Sequence, residues 1–183
     1  MLKAILARQI DRFERLWGYD AGYMRQLLAA SPISFIHFSL VSGMVDAKAA
    51  PAEAIAAAKL VGTLAEDCGP CTQIVIDMAE AQGVSAQVLR ALLAGEEAAM
   101  GTDAGLAWRF ARASLAHDME TADPLRDEIV ARWGGAGLNA IGLALTTGRM
   151  YPTLKYALGH GKACSRVVVE GVAAPVARAP LAA

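Results

Sequence analysis

Long apolar runs are missing from this chain. The longest, Ile33 to Val45, is interrupted by Ser34, His37, Ser39 and Ser42 and falls short of the roughly 20 residues a membrane-spanning helix needs. The opening segment, Met1 to Trp17, is charged throughout by Lys3, Arg8, Asp11, Arg12, Glu14 and Arg15, so it does not read as a secretory signal. Cysteine is scarce: 3 residues in 183 do not make a disulfide framework, and in a reducing compartment a close pair is more often catalytic or metal-binding than structural. Charge of either sign is low, at 19%, and the formal net charge is -1. That balance gives no electrostatic reason to expect nucleic acid or an anionic membrane as a partner. A Gly-rich phosphate loop and a Ser-His-Asp order are absent too, so no cofactor is expected.

What the chain holds in excess is apolar surface. Hydrophobic residues reach 55%, against an average of about 45–50% even when Gly is counted. A chain of 183 residues fits one domain with a sizeable core. Without a spanning segment, the surplus is expected to lie between subunits of a cytoplasmic homo-oligomer.

Helical spacing runs almost throughout. Leu2, Ile5, Leu6, Ile10, Phe13, Leu16 and Trp17 recur every three or four residues, and Gly18 supplies a stop. Asp20 caps a second helix, Ser31-Pro32 opens a third, and Pro51 opens an Ala-rich fourth that runs to about Ala65. Pro70 begins another that ends at Gly83. Ser85 caps Ala86 to Ala94, closed by Gly95, and Asp103 caps a helix to about Met119. Asp123-Pro124 opens a helix ending at Trp133-Gly134-Gly135, and the last runs from about Leu138 to Leu158, with Gly148 and Pro152 expected to bend it. The class is all-α, with about eight to nine helices over residues 1–163. Residues 164–183 read as a tail, either loosely attached or carrying a short strand at Val167-Val168-Val169.

Two of the three cysteines sit in "EDCGPCTQ", Glu66 to Gln73. The tetrapeptide CGPC matches a thioredoxin active site, but that motif follows a buried β-strand and a Trp. Here an Ala-rich helix and Asp67 precede Cys68. Three readings remain: a redox dithiol, half of a metal site, or two small core residues. A zinc set would have to add His160 and Cys164, most of the chain away. For the redox reading, Cys68 and Cys71 at a helix start face unsatisfied N–H groups and the positive end of the dipole, which favours thiolate. Glu66 and Asp67 either oppose this, cap the helix, or stand in as proton acceptors.

Other candidates are weighed against blander roles. His37 lies in an apolar helix, where a buried, hydrogen-bonded core histidine is the default; as an accessory base it is the histidine of interest. Lys59 either points into a pocket or snorkels to solvent. His117 is a charge partner for a helix C-terminus, and Asp77, Glu80, Arg109 and Arg112 read as solvated faces. Trp17, Trp108 and Trp133 read as core or subunit contacts.

The order Ala-rich helix, CxxC opening the next helix, then "GVSAQVLRALLAGEEAA", resembles the AhpD-like family of alkylhydroperoxidases and carboxymuconolactone decarboxylases. "LAWRFARASLAHDMETADPLRDEIVARWGGAGLNAIGLALTTGRMYPTLKYALG" is similar to that family's closing helices, so the likeness covers most of the chain. The resemblance implies an AhpD-like helical fold, a homo-oligomer, and a dithiol in which Cys71 is the buried attacking thiol. Cys68 would be the more exposed partner, exchanging with an external thiol or dithiol reductant. Active members carry a His four residues after the second Cys and a Glu twelve before the first, as a proton relay. Val75 and Ala56 occupy those positions here. Two functions follow: a thiol-disulfide oxidoreductase or alkylhydroperoxidase-like antioxidant protein, or a degenerate scaffold. The scaffold would serve as a small-molecule binding or assembly module, or as a decarboxylase-type lyase.

Overall fold

A computed structural model describes residues 2–161 and 167–177. It is all-α. The helices are α1 (Leu2–Trp17), α2 (Gly22–Ala30), α3 (Pro32–Leu40), α4 (Ala52–Ala65), α5 (Gly69–Ala81), α6 (Ala86–Ala94), α7 (Thr102–Leu115) and α8 (Met119–Ala157). Two 3-10 turns, Val41–Gly43 and Glu97–Ala99, lie between α3 and α4 and between α6 and α7. A hairpin of β1 (Val168–Val169) and β2 (Val172–Ala173) follows. Among the described residues, no helix is long and apolar enough to cross a membrane.

The Ala-rich segment becomes the centre because it is apolar nearly all round. In α4, Ala54 to Ala58, Leu60, Val61, Gly62 and Thr63 are all buried, and α5, α7 and α8 pack against it. Its closest neighbour is α8. A Cβ on Gly62 would lie 2.6 Å from the Leu145 carbonyl oxygen, and one on Gly148 would lie 2.5 Å from that of Lys59. Only glycine allows this approach. Gly148 thus serves a helix crossing rather than the expected bend, and the one non-helical residue inside α8 is Gly134, with φ 68°. The separate helices expected on either side of Trp133-Gly134-Gly135 are the two arms of α8.

Caps form where side-chain oxygens meet free N–H groups. Ser31 Oγ accepts from Ser34 N at 3.2 Å and Ser85 Oγ from Val88 N at 3.4 Å, while Gly95, at φ 71°, closes α6. Asp20, expected as the cap of α2, stands one residue ahead of the N-cap Ala21 and accepts from Gly22 N at 2.9 Å.

Apolar side chains gather in two clusters. The larger joins α4 to α8 around Leu60, Ile76, Leu89, Leu106 and Ile141, each worth about 1.5–3 kcal/mol of burial. The smaller comes from the first three helices, around Ile10, Tyr19, Tyr23, Leu28 and Phe35, with Ile74 of α5 and Leu154 of α8 packed against it.

The residues after the helices dock as a short strand pair. The Gln73 amide grips Val168 from both sides, accepting from its N–H at 2.7 Å and donating to its carbonyl at 3.1 Å. Arg90 donates to the Val169 carbonyl and Glu80 accepts from Glu170 N. Val167 and Val169 are buried in the larger cluster. Of the two expectations for the tail, the short strand is found at Val168–Val169, paired with Val172–Ala173; Cys164 lies outside the described residues.

Candidate functional site

The cysteine pair sits in a tight junction between two helices. At the end of α4, Asp67 N–H bonds to the Leu64 carbonyl and Cys68 N–H to that of Thr63, with Asp67 at φ 48°. This is the reversal that ends many helices, with Asp in the left-handed position that usually falls to Gly. It delivers Cys68 directly as the N-cap of α5 and puts Pro70 in the first turn, where its missing N–H costs nothing. Cys68 and Cys71 are joined as a disulfide with Cα atoms 5.2 Å apart.

Both half-cystines are buried, Cys68 at 3% and Cys71 at 2% exposure. Cys68, expected as the more exposed member, is buried almost as fully as Cys71, and the turn that carries it is tied to α8. The Tyr156 hydroxyl donates to the Asp67 carbonyl at 3.0 Å, and Arg149 Nε donates to Glu66 at 2.7 Å. Glu66 also accepts from the Thr153 hydroxyl at 3.3 Å. Glu66 is thereby committed to α8, and the Asp67 side chain is exposed.

Cys71 opens on a cavity of about 370 Å³ between the small cluster and the α4–α8 layer. Its walls are aromatic. Phe13, Tyr19, Tyr23, Phe38 and Tyr151 follow one another edge to face, with ring centroids 5.1 to 6.5 Å apart. Exposed Gln9 and Ser39 mark its rim on α1 and α3. The Tyr19 hydroxyl lies 3.8 Å from Cys71 Sγ. Burial pushes that phenol up to about 12, with Asp20 adding to the rise and the Tyr23 hydroxyl opposing it. Tyr19 is therefore a donor, never a base, near neutral pH. The Lys155 ammonium, buried to 3% exposure, stands 5.2 Å over the Tyr19 ring.

Lys59 also lines this cavity, half-buried, and burial holds its ammonium below the ordinary lysine value. Of the two expectations for Lys59, the pocket is the one realised. His37, expected as a core residue and accessory base, is exposed and lines no part of the cavity. Val75, where the resemblance would put a relay histidine, lines the wall; Ala56, where it would put the glutamate, is buried in the larger cluster. His160 is bonded to Gln26 at 2.8 Å. Among the described residues, no three His, Cys, Asp or Glu side chains converge as a metal site.

No family model matches this chain, and neither a curated protein nor a solved structure does. The site is thus read from its own chemistry. Asp77 is tied to Gln73 at 2.7 Å and Arg112 lies over Trp108, so both serve packing. Among the described residues, the cavity lining contains no histidine or carboxylate to take a proton from Cys71. What it provides is a sulfur at a helix start, a phenol donor beside that sulfur, and a lone cation on an apolar wall. Tyr19 escaped sequence reasoning because 52 residues separate it from Cys71. The only local hint was a pair of tyrosines one helical turn apart, Tyr19 and Tyr23, beside the Gly18 break.

Proposed function

We propose that this chain is an AhpD-like thiol-disulfide oxidoreductase that cycles Cys68 and Cys71 against small substrates entering the cavity. The observation that carries the reading is that Cys71 alone of the pair lines the cavity, beside the Tyr19 hydroxyl. In the oxidised form, a substrate thiolate attacks Cys71 Sγ, a mixed disulfide forms, and the Cys68–Cys71 bond breaks. The electron pair leaves on Cys68, whose thiolate lies at the start of α5 near free N–H groups. A second substrate thiol, having lost its proton to solvent, displaces Cys71; the substrate leaves as disulfide and the protein as dithiol. Two electrons and two protons are transferred in all.

In reverse, Cys71 thiolate opens a substrate disulfide with Tyr19 donating to the sulfur. Disulfide exchange needs a nucleophilic sulfur and a near partner but no dedicated base, which suits a lining without imidazole or carboxylate. Peroxide reduction, in which Cys71 takes the distal oxygen and Cys68 then expels water, lacks the relay that Val75 and Ala56 replace. The same lack favours the second reading, a binding scaffold without redox turnover. Exposed Leu2, Ile5 and Leu16 on α1, with Ile33 and Leu40 on α3, support a homo-oligomer in which these faces meet.

The test reduces the protein and titrates alkylation of wild type, Cys68→Ser and Cys71→Ser across pH. Cys71 is expected to react below about pH 8, and a small disulfide to restore the intramolecular bond. If neither thiol reacts there and no bond re-forms, the oxidoreductase reading is lost and the scaffold stands.

A further inference from the structure

The cavity carries one feature that disulfide exchange does not use. Lys59 places a cation on a wall built largely from aromatic and aliphatic side chains, and among the described residues it has neither an ion pair nor a side-chain hydrogen-bond partner. No acidic side chain contributes to its titration, which burial alone displaces. The lysine is also held in place: its backbone is pinned under Gly148, where a Cβ would lie 2.5 Å from the Lys59 carbonyl oxygen. Two threonine hydroxyls of the lining are already committed. Thr63 donates to the Leu60 carbonyl and Thr147 to that of Ala144, both at 3.1 Å, so neither brings a free proton to an anion. A half-buried cation in an apolar wall is costly unless a counter-charge arrives with its own apolar body.

We infer that the cavity binds an amphiphilic monocarboxylate, its carboxylate on the Lys59 ammonium and its apolar body among Phe13, Tyr23, Phe35 and Phe38. One point charge, with no arginine among the described lining residues, suits a single carboxylate rather than a phosphate. A volume of about 370 Å³ sits at the small end of the roughly 300–1,000 Å³ of small-molecule sites, which suits a medium-length chain or a single aryl ring. The exposed rim at Gln9 and Ser39 gives such a molecule its way in. This site stands independently of whether the dithiol turns over.

The experiment measures binding by calorimetry to the oxidised protein, without reductant or peroxide, so that redox activity does not enter the readout. The probes are decanoate, decan-1-ol and butanoate. Decanoate is expected to bind wild type at least about tenfold tighter than decan-1-ol, the value of one modest ion pair, with butanoate far weaker than either. Lys59→Met should erase the preference for the acid over the alcohol while Lys59→Arg retains it. In wild type the preference should also fade as rising pH neutralises Lys59, which keeps the test alive if the variants fold poorly. Equal binding of acid and alcohol, no decanoate binding, a preference that survives in a folded Lys59→Met, or one that does not change with alkaline pH each overturns the inference.

Discussion

Tyr19 is the residue on which the dithiol reading turns. It donates to Cys71 from 3.8 Å and stays protonated because burial pushes it to about 12. A donor to a thiolate stabilises the charged form, and hydrogen bonds to charged groups are worth about 1.5–3 kcal/mol. Tyr19→Phe is therefore expected to raise the Cys71 thiol pKa by about one unit and to slow its alkylation near neutral pH by about tenfold. The pH profile of thiolate absorbance in the reduced protein checks this; a profile unchanged by the substitution would remove Tyr19 from the chemistry.

Two lysines with lowered titration make a pH prediction. Lys59 and Lys155 are both held below the ordinary value of 10.5 by burial, Asp20 partly opposing this at Lys155. The folded state thus binds fewer protons than the unfolded state between the lowered values and 10.5, and stability rises with pH across that window. Tyr19 acts oppositely. Its contribution is fully present below its ordinary 10.0 and is lost as pH climbs through about 12. Denaturant titrations from neutral to about pH 10 are expected to show a rising slope that flattens in Lys59→Met and in Lys155→Met. At this scale the sequence made the cysteines legible, because spacing and Pro70 set them at a helix start, and it marked Lys59 as either pocket-facing or solvated. Tyr19 was not legible, since its meaning comes from a sulfur brought to it across helices.

Among the elements, the crossing of α4 with α8 decides whether the cavity keeps its shape. Gly62→Ala and Gly148→Ala each drive a methyl into a backbone carbonyl at 2.6 and 2.5 Å. Neither helix has a flexible side chain there to yield, so each substitution is expected to cost at least about 1–3 kcal/mol, read by urea unfolding. Glycine at these positions was legible as helix punctuation, which is why Gly148 read as a bend; only the facing helix reveals it as a contact. Caps are local, and Ser31, Ser85 and Gly95 fall where the pattern put them, but Asp103 and Asp123 lie inside helices, α7 starting after Gly101 and α8 being capped by Asp118. The docked hairpin was not legible, because a short valine run says nothing of the Gln73 amide that receives it. Gln73→Ala leaves the Val168 N–H and carbonyl without that partner and is expected to cost about 1–3 kcal/mol. Faster hydrogen exchange at Val168 and Glu170 would report the loosening.

For the whole molecule, the all-α class and the apolar excess followed from composition and period. The arrangement of the excess did not, since it needs the packed helices: α1 and α3 leave Leu16 at 66% and Leu40 at 67% exposure. If these faces meet in a homo-oligomer, Leu16→Ser with Leu40→Ser should lower the sedimentation coefficient towards that of a 19.1 kDa monomer. An unchanged wild-type monomer in the same run would refute the assembly.

Burial of both sulfurs also sets a clock. On the proposed function, a bulky reductant reaches Cys68 only when the turn at residues 66–70 opens, and Arg149, Thr153 and Tyr156 hold that turn from α8. A small apolar thiol would instead reach Cys71 through the cavity, past Gln9 and Ser39. On the proposed function, the oxidised form then outlasts a return to reducing surroundings whenever only large reductants are present, and the molecule keeps a memory of past oxidation for as long as the turn stays shut.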